Sequence, residues 1–143
     1  MSDRIPPHNR DAEAALISSC LVSPKALDDA LRTVGPDDLY LPANRRIWAA
    51  LERLHHRGDP VDPVTVAAEV QTGDGRPGIN PADVTSYLTG LGTVANSPTY
   101  ARIVADMSRY RRLAHAAEEL AAAVASFDDT AIDQAVKAIT VES

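Results

Sequence analysis

One cysteine, two lysines and six aromatic residues are all that 143 residues contain of these types. A lone Cys20 cannot form an internal disulfide, which fits a reducing compartment. Aromatics at 4% disfavour a β-sandwich or barrel, whose strands draw on aromatic and β-branched residues. No run of about 18 apolar residues occurs, so no membrane span is expected. The opening Met1-Ser2-Asp3-Arg4-Ile5-Pro6-Pro7 has no apolar core of a secretory signal, so a cytoplasmic location is expected. Basic charge is also short. Fourteen Lys and Arg against twenty Asp and Glu leave a net charge of −6, which counts against a nucleic-acid coat or a binder of acidic membranes.

Alanine and helix-start signals are abundant instead. The chain has 24 alanines, the strongest helix former. Its length is enough for about one domain with a real core. A small polar residue followed by proline occurs four times: Ser23-Pro24, Asp62-Pro63, Asn80-Pro81 and Ser97-Pro98. The first residue can accept a hydrogen bond from the first turn, and proline at the first helical position loses no intrahelical bond. Each pair precedes apolar residues at helical spacing, which predicts an all-α chain.

The helices read as follows. Asn9 caps a first, with Asp11 and Glu13 near its positive end and Ala14, Ile17, Cys20 and Leu21 on one face. Ser23 opens a second, with Leu27, Leu31 and Val34 inside, stopped by Gly35-Pro36. Pro42 to His56 is a third, with Ile47, Trp48, Leu51 and Leu54 inward and Gly58 as its stop. Asp62 opens a short fourth with Val64, Ala67 and Val70, and Asn80 a fifth with Val84, Tyr87, Leu88 and Leu91. From Ser97 to about Ser126 neither Gly nor Pro intervenes, and thirty helical residues would span about 45 Å. Phe127 to Thr130 reads as a tight turn, and Ile132, Ala135, Val136 and Ile139 give a return stripe. The expected architecture is a compact helical head over residues 1–95, then a protruding antiparallel helical hairpin over 96–143. Small residues such as Ala117, Ala121 and Ala125 would let helices approach closely, and a long hairpin exposes apolar surface suited to self-association.

No catalytic set emerges. Gly73-Asp74-Gly75-Arg76-Pro77-Gly78 matches G-x-G-x-x-G in letters, but lacks the preceding strand that a pyrophosphate site needs. As a phosphate loop it has Ile79-Asn80 where lysine and a hydroxyl residue must stand. A surface loop is expected. His55-His56 point about 100° apart on a helix, so a solvated helix end is expected rather than a metal site. Cys20 reads as a buried thiol. Arg102, Arg109, Arg111 and Arg112 against Asp106 form a basic stretch, either a solvated face or a docking patch for an acidic partner or DNA phosphate. No cofactor, metal or catalytic residue is expected.

Several segments carry a resemblance. Ile5-Pro6-Pro7-His8-Asn9, Ala12-Glu13, Pro36-Asp37-Asp38-Leu39-Tyr40 and Pro42-Ala43-Asn44-Arg45-Arg46-Ile47-Trp48 occur in this order. Gly58-Asp59-Pro60-Val61-Asp62-Pro63-Val64-Thr65, Tyr87-Leu88 and Tyr100-Ala101-Arg102-Ile103-Val104 follow. Over residues 4–112 the chain resembles the N-terminal domain of DnaB-family replicative DNA helicases. It departs from the family at Asn44, where His is usual, at Trp48 (Phe), and at Pro63 (Leu). The family's RecA-like motor has no counterpart in this sequence, so the resemblance implies a chain that neither hydrolyses ATP nor unwinds DNA by itself.

The resemblance further implies a collar module of a replicative helicase that pairs with itself as a dimer and builds a trimer of dimers. Its hairpin would receive the helicase-binding domain of primase, a loader or regulator would act through the collar, and DNA would be met only through the full helicase. Met107, Tyr110, Arg111, Leu113, Ala117 and Leu120 are the candidate interaction residues on the hairpin. Asp38, Tyr40, Arg45, Asp62 and Thr65 match family positions and are expected to hold the head together. Two other readings stand beside this one: a stand-alone phage- or plasmid-type adaptor that regulates a helicase, and a DNA-binding helical module.

Overall fold

A computed structural model describes residues 4–90 and 92–142. Met1–Asp3, Leu91 and Ser143, on which parts of the expectations above fall, lie outside the described residues. Among the described residues all regular structure is helical, with no strand. The seven α-helices are α1 (Arg10–Val22), α2 (Pro24–Leu31), α3 (Pro42–Arg57), α4 (Pro63–Asp74), α5 (Pro81–Thr85), α6 (Ser97–Ala125) and α7 (Asp129–Glu142). Short 3-10 turns cover Pro36–Asp38, Ser86–Leu88 and Val94–Asn96.

Most start signals work as their chemistry demands. The Asn9 side chain accepts from Ala12 N at 2.9 Å, Ser23 from Ala26 N at 3.1 Å, and Asn80 from Asp83 N at 3.0 Å. Asp62 and Thr65 form a reciprocal capping box at 2.8 and 2.9 Å. Gly58 ends α3 in the left-handed conformation, φ 74°. Ser97 is the exception. The 3-10 turn Val94–Asn96 runs straight into α6, so Ser97 is helical (φ −55°, ψ −37°) and buried rather than a cap. α4 also continues through Gly73 to Asp74, so the first two of the six residues of the expected glycine-rich surface loop are helix.

The chain divides into two compact units, residues 9–105 and residues 1–8 with 106–143. The expected boundary at 95/96 thus falls later, inside α6. The physical reason is that Ala101 and Val104 of its first turns are buried in the core of the first unit.

In the first unit α1 lies deepest. Ala12, Leu16, Ile17 and Cys20 are buried with Ile47, Trp48, Leu51 and Leu54 of α3 and Leu27 of α2 in one core, and Ala15 is buried too. Trp48 has no solvent exposure, and its indole N–H donates to Val34 O at 3.0 Å, so the ring is packed and its polar edge satisfied. On α4, Ala67 and Val70 are buried as expected, while Val64 is exposed and Val66 takes its place on the inward face. A Cβ at Gly92, φ 86°, would lie 2.7 Å from Tyr100 Oη and 2.9 Å from Ala15 Cβ, so only glycine fits there.

Candidate protein-interaction surface

Of the five family-matching residues, Asp38, Arg45, Asp62 and Thr65 make side-chain hydrogen bonds in the first unit, and Tyr40 takes part through its backbone. Arg45 Nε donates to Leu39 O at 3.0 Å and its Nη2 to Tyr40 O at 2.9 Å. Asp38 accepts from Gly35 N at 2.8 Å. These bonds set the path of the chain into α3, and Asp62 with Thr65 sets the start of α4.

The centre of that scaffold is a residue whose burial sequence reasoning did not foresee. Glu13 lies in the first turn of α1, near its positive end as expected, but is only 2% exposed. Its carboxylate accepts from Tyr40 N at 2.7 Å, Leu41 N at 3.3 Å and Asn44 Nδ2 at 2.8 Å. Asn44 Oδ1 in turn accepts from Tyr87 Oη at 2.5 Å. A buried carboxylate is tolerated only when such donors replace water. Burial, and then the charges of Glu13 and Asp83, push the Tyr87 phenol above its ordinary value.

Outside this chain, ion pairs clamp the surface. Glu69 of α4 is held by Arg57 and by Arg53 of α3, the latter at 2.9 Å, which brings its carboxyl from 4.5 to about 2. Arg46 binds Asp74 at 2.6 and 3.1 Å and also donates to Arg76 O at 2.7 Å, fixing the Gly-rich segment to α3. The pair with Arg46 brings Asp74 from 3.8 to about 2. His55, expected at a solvated helix end, sits 3.0 Å from Asp28 Oδ1. Burial pushes the Cys20 thiol up to about 12, so it is inert packing. Among the described residues no group of three or more His, Cys, Asp or Glu could hold a metal ion, and no helix is long and apolar enough to cross a membrane.

In the second unit α7 returns antiparallel along α6. Arg112 binds the Glu142 carboxylate at 2.7 and 3.2 Å, and Arg109 donates to Glu142 O at 3.1 Å. The turn between the helices is a Schellman closure: Asp128 N donates to Ala123 O at 3.0 Å and Phe127 N to Val124 O at 3.2 Å. Arg111 donates to Pro7 O at 2.8 Å and ties the N-terminal segment to α6. Three of the four arginines of the basic stretch are therefore engaged within this unit.

The candidate hairpin residues split between two faces. Ala116 and Ala123 are buried, and Leu113 and Leu120 half-buried, at alternating spacings of three and four. With Ala135 buried and Ile132 and Ile139 half-buried on α7, they mark the seam. Ala117, Ala121 and Ala125, expected to bring helices together, are exposed instead. Ala117 and Tyr110 share an outer face with Ala114, Ala121 and Val124, again at alternating spacings of three and four. Tyr110 is 42% exposed there, with the Arg109 guanidinium 5.0 Å from its ring centroid, and Val124 is 54% exposed. Met107 and Arg111 are half-buried. Val124 and Phe127 were not among the candidates. Their exposure becomes visible only once the seam is fixed.

Residues 5–106 match the DnaB-like helicase N terminal domain. The chain belongs to this family. It is 38% identical over 121 residues to the replicative DNA helicase DnaB of Geobacillus stearothermophilus, covering 84% of this chain and 27% of that protein. It is 37% identical over 125 residues to the replicative DNA helicase DnaC of Bacillus subtilis, covering 85% of this chain and again 27% of that protein. The chain thus spans about a quarter of the length of these relatives. The crystal structure of the N-terminal domain of DnaB helicase from Mycobacterium tuberculosis superposes with a TM-score of 0.84 at 29% identity, over 95% of this chain and 99% of that one. The DnaB-type fold therefore covers both units of the chain, not only the head.

Proposed function

We propose that the chain is a protein-interaction and oligomerisation module of a bacterial replicative DNA helicase, acting in the cytoplasm during DNA replication. The observation that carries this is the second apolar stripe on α6. A two-helix hairpin needs one seam, and residues 113, 116, 120 and 123 supply it. Tyr110, Ala114, Ala117, Ala121 and Val124 repeat the same spacing on a face that nothing within the unit covers. Stripes of this kind with small side chains let another helix approach closely. Membership of the DnaB-like N-terminal family gives the stripe its context, a collar in which copies pair as dimers and assemble as a trimer of dimers. The helicase-binding domain of primase, and a loader or regulator, are the further partners proposed.

The module itself carries no chemistry in this reading. Among the described residues the one buried carboxylate, Glu13, accepts from three donors and is 2% exposed, so it has no access to a substrate. ATP hydrolysis and unwinding would belong to a motor domain, and DNA would be contacted only through the assembled helicase. Light scattering of the chain, with and without the helicase-binding domain of primase, tests the proposal. The expected result is self-association that rises with concentration, plus a complex with the primase domain. A strict monomer that ignores primase overturns it.

A further inference from the structure

The turn between α6 and α7 places the chain's one phenylalanine where it contributes little to folding. Phe127 occupies the left-handed position of the Schellman closure, φ 55°, where glycine is usual and a side chain is disfavoured. Its ring is also 90% exposed, so it buries almost nothing in return. Strain at a bulky residue that makes no packing contact points to a use outside the fold.

The same chain carries a receptacle of matching size. In the first unit, α2 and the first turns of α6 enclose an open groove of about 310 Å³ with Ala26, Ala30, Ala101 and Ala105 in its walls. A cavity of roughly 150 Å³ accepts benzene, so a phenyl ring fits with room to spare. Arg102 and Asp29 stand on the rim. Asp29 is already paired with Lys25 at 2.9 Å, which leaves the rim positive at Arg102. The ring of Phe127 is followed directly by Asp128 and Asp129, so the turn brings an aromatic knob with negative charge beside it. Asp128 is occupied in capping α7, through Ala131 N at 3.0 Å, and Asp129 is the carboxylate left to meet a cation.

We propose that Phe127 of one copy docks into the α2–α6 groove of a second copy, with Arg102 over its ring and against Asp129. This deepens the self-pairing reading and rests on it. It adds an aromatic anchor to the alanine stripe, and aromatic residues seated in pockets carry much of the energy of interfaces. In a two-fold dimer the contact occurs twice, each copy offering one knob and one groove.

The test uses the full 143-residue chain. Sedimentation equilibrium compares the wild type with Phe127→Ala and with Arg102→Glu. Alanine keeps the left-handed strain but removes the ring, so the fold is retained, and Trp48 emission and circular dichroism check this. Each variant is expected to weaken self-association at least about tenfold. Asp129→Arg added to Arg102→Glu should restore it. In parallel, separately prepared Phe127→Cys and Thr33→Cys chains are mixed under mild oxidation. Thr33 lines the groove and is exposed, and buried Cys20 does not compete, so an interchain disulfide is expected. Unchanged association in both single variants, with no mixed disulfide, overturns the knob while leaving self-pairing intact. A wild type that stays monomeric at every concentration removes the pairing reading and this inference with it.

Discussion

Replacing Glu13 with glutamine keeps its volume and changes one oxygen into a donor. In the structure both carboxylate oxygens accept, from Asn44 Nδ2 and Leu41 N on one and Tyr40 N on the other. An amide nitrogen at either place faces a donor, so at least one strong bond is lost and one buried N–H is left unmet. Hydrogen bonds to charged groups are worth about 1.5–3 kcal/mol and an orphaned donor costs about 1–3. The two overlap, and a loss of about 2–4 kcal/mol is expected, a large part of the stability of a domain this size. Trp48 has no exposure and lies in the same core, so its emission during urea unfolding reads this unit directly. With a urea slope of about 2 kcal/mol/M, the midpoint should fall by roughly 1–2 M. Asp11→Asn is the control: it is exposed in the first turn of the same helix and should cost less than about 1 kcal/mol. If Glu13→Gln costs no more than Asp11→Asn, the buried carboxylate does not hold α1 to the start of α3.

Further outcomes follow from the same structure. Phe127→Gly relieves the left-handed strain but frees the unfolded chain, so the hairpin should hold its stability or gain up to about 1 kcal/mol, read as the thermal midpoint. Arg112→Ala removes both bonds to the Glu142 side chain, and the last turn of α7 should then exchange its amide protons faster, with the first unit unaffected. Acid should destabilise the first unit in a defined window. Glu69 and Asp74 ionise more readily folded than unfolded, so their contribution is complete above about pH 4.5 and is lost as pH falls toward 2. Urea midpoints at pH 6 and pH 3 should differ accordingly, and Glu69→Gln should shrink the difference.

The sequence made the head legible through local chemistry. Asn9, Ser23, Asp62 and Asn80 each have a side chain that can act only on the next turn, so their caps need no tertiary knowledge. Ile47, Trp48, Leu51 and Leu54 are large, and their spacing leaves one inward face. Ser97 failed because the turn before it is itself helical, which no property of Ser-Pro reveals. Glu13 stands at the positive end of α1 as expected, but its burial was not legible, because a carboxylate in the first turns of a helix has a ready local explanation, the helix dipole. The donors that bury it come from residues 40, 41 and 44, far along the chain. The hairpin failed in register for a different reason. Alanine stands at 114, 116, 117, 121, 122, 123 and 125, so small residues line nearly every face and periodicity alone is degenerate. Only Leu113 and Leu120 distinguish the seam, and choosing it exposes Ala117, Ala121 and Val124. The apolar stripe behind the proposed function was therefore partly named in advance, through Tyr110 and Ala117 as candidate interaction residues, while Ala121 and Val124 join it only once the seam is known.

The central claim is that this outer face of α6 joins copies of the chain. Sedimentation equilibrium of the wild type against an Ala117→Glu, Ala121→Glu double variant addresses it most directly. Both positions are exposed, so the hairpin itself should fold unchanged. Two carboxylates buried without partners in a helix pairing should weaken it at least about tenfold. The predicted result is a self-associating wild type and a variant that is monomeric over the same concentrations. A wild type and variant that associate equally would contradict the claim.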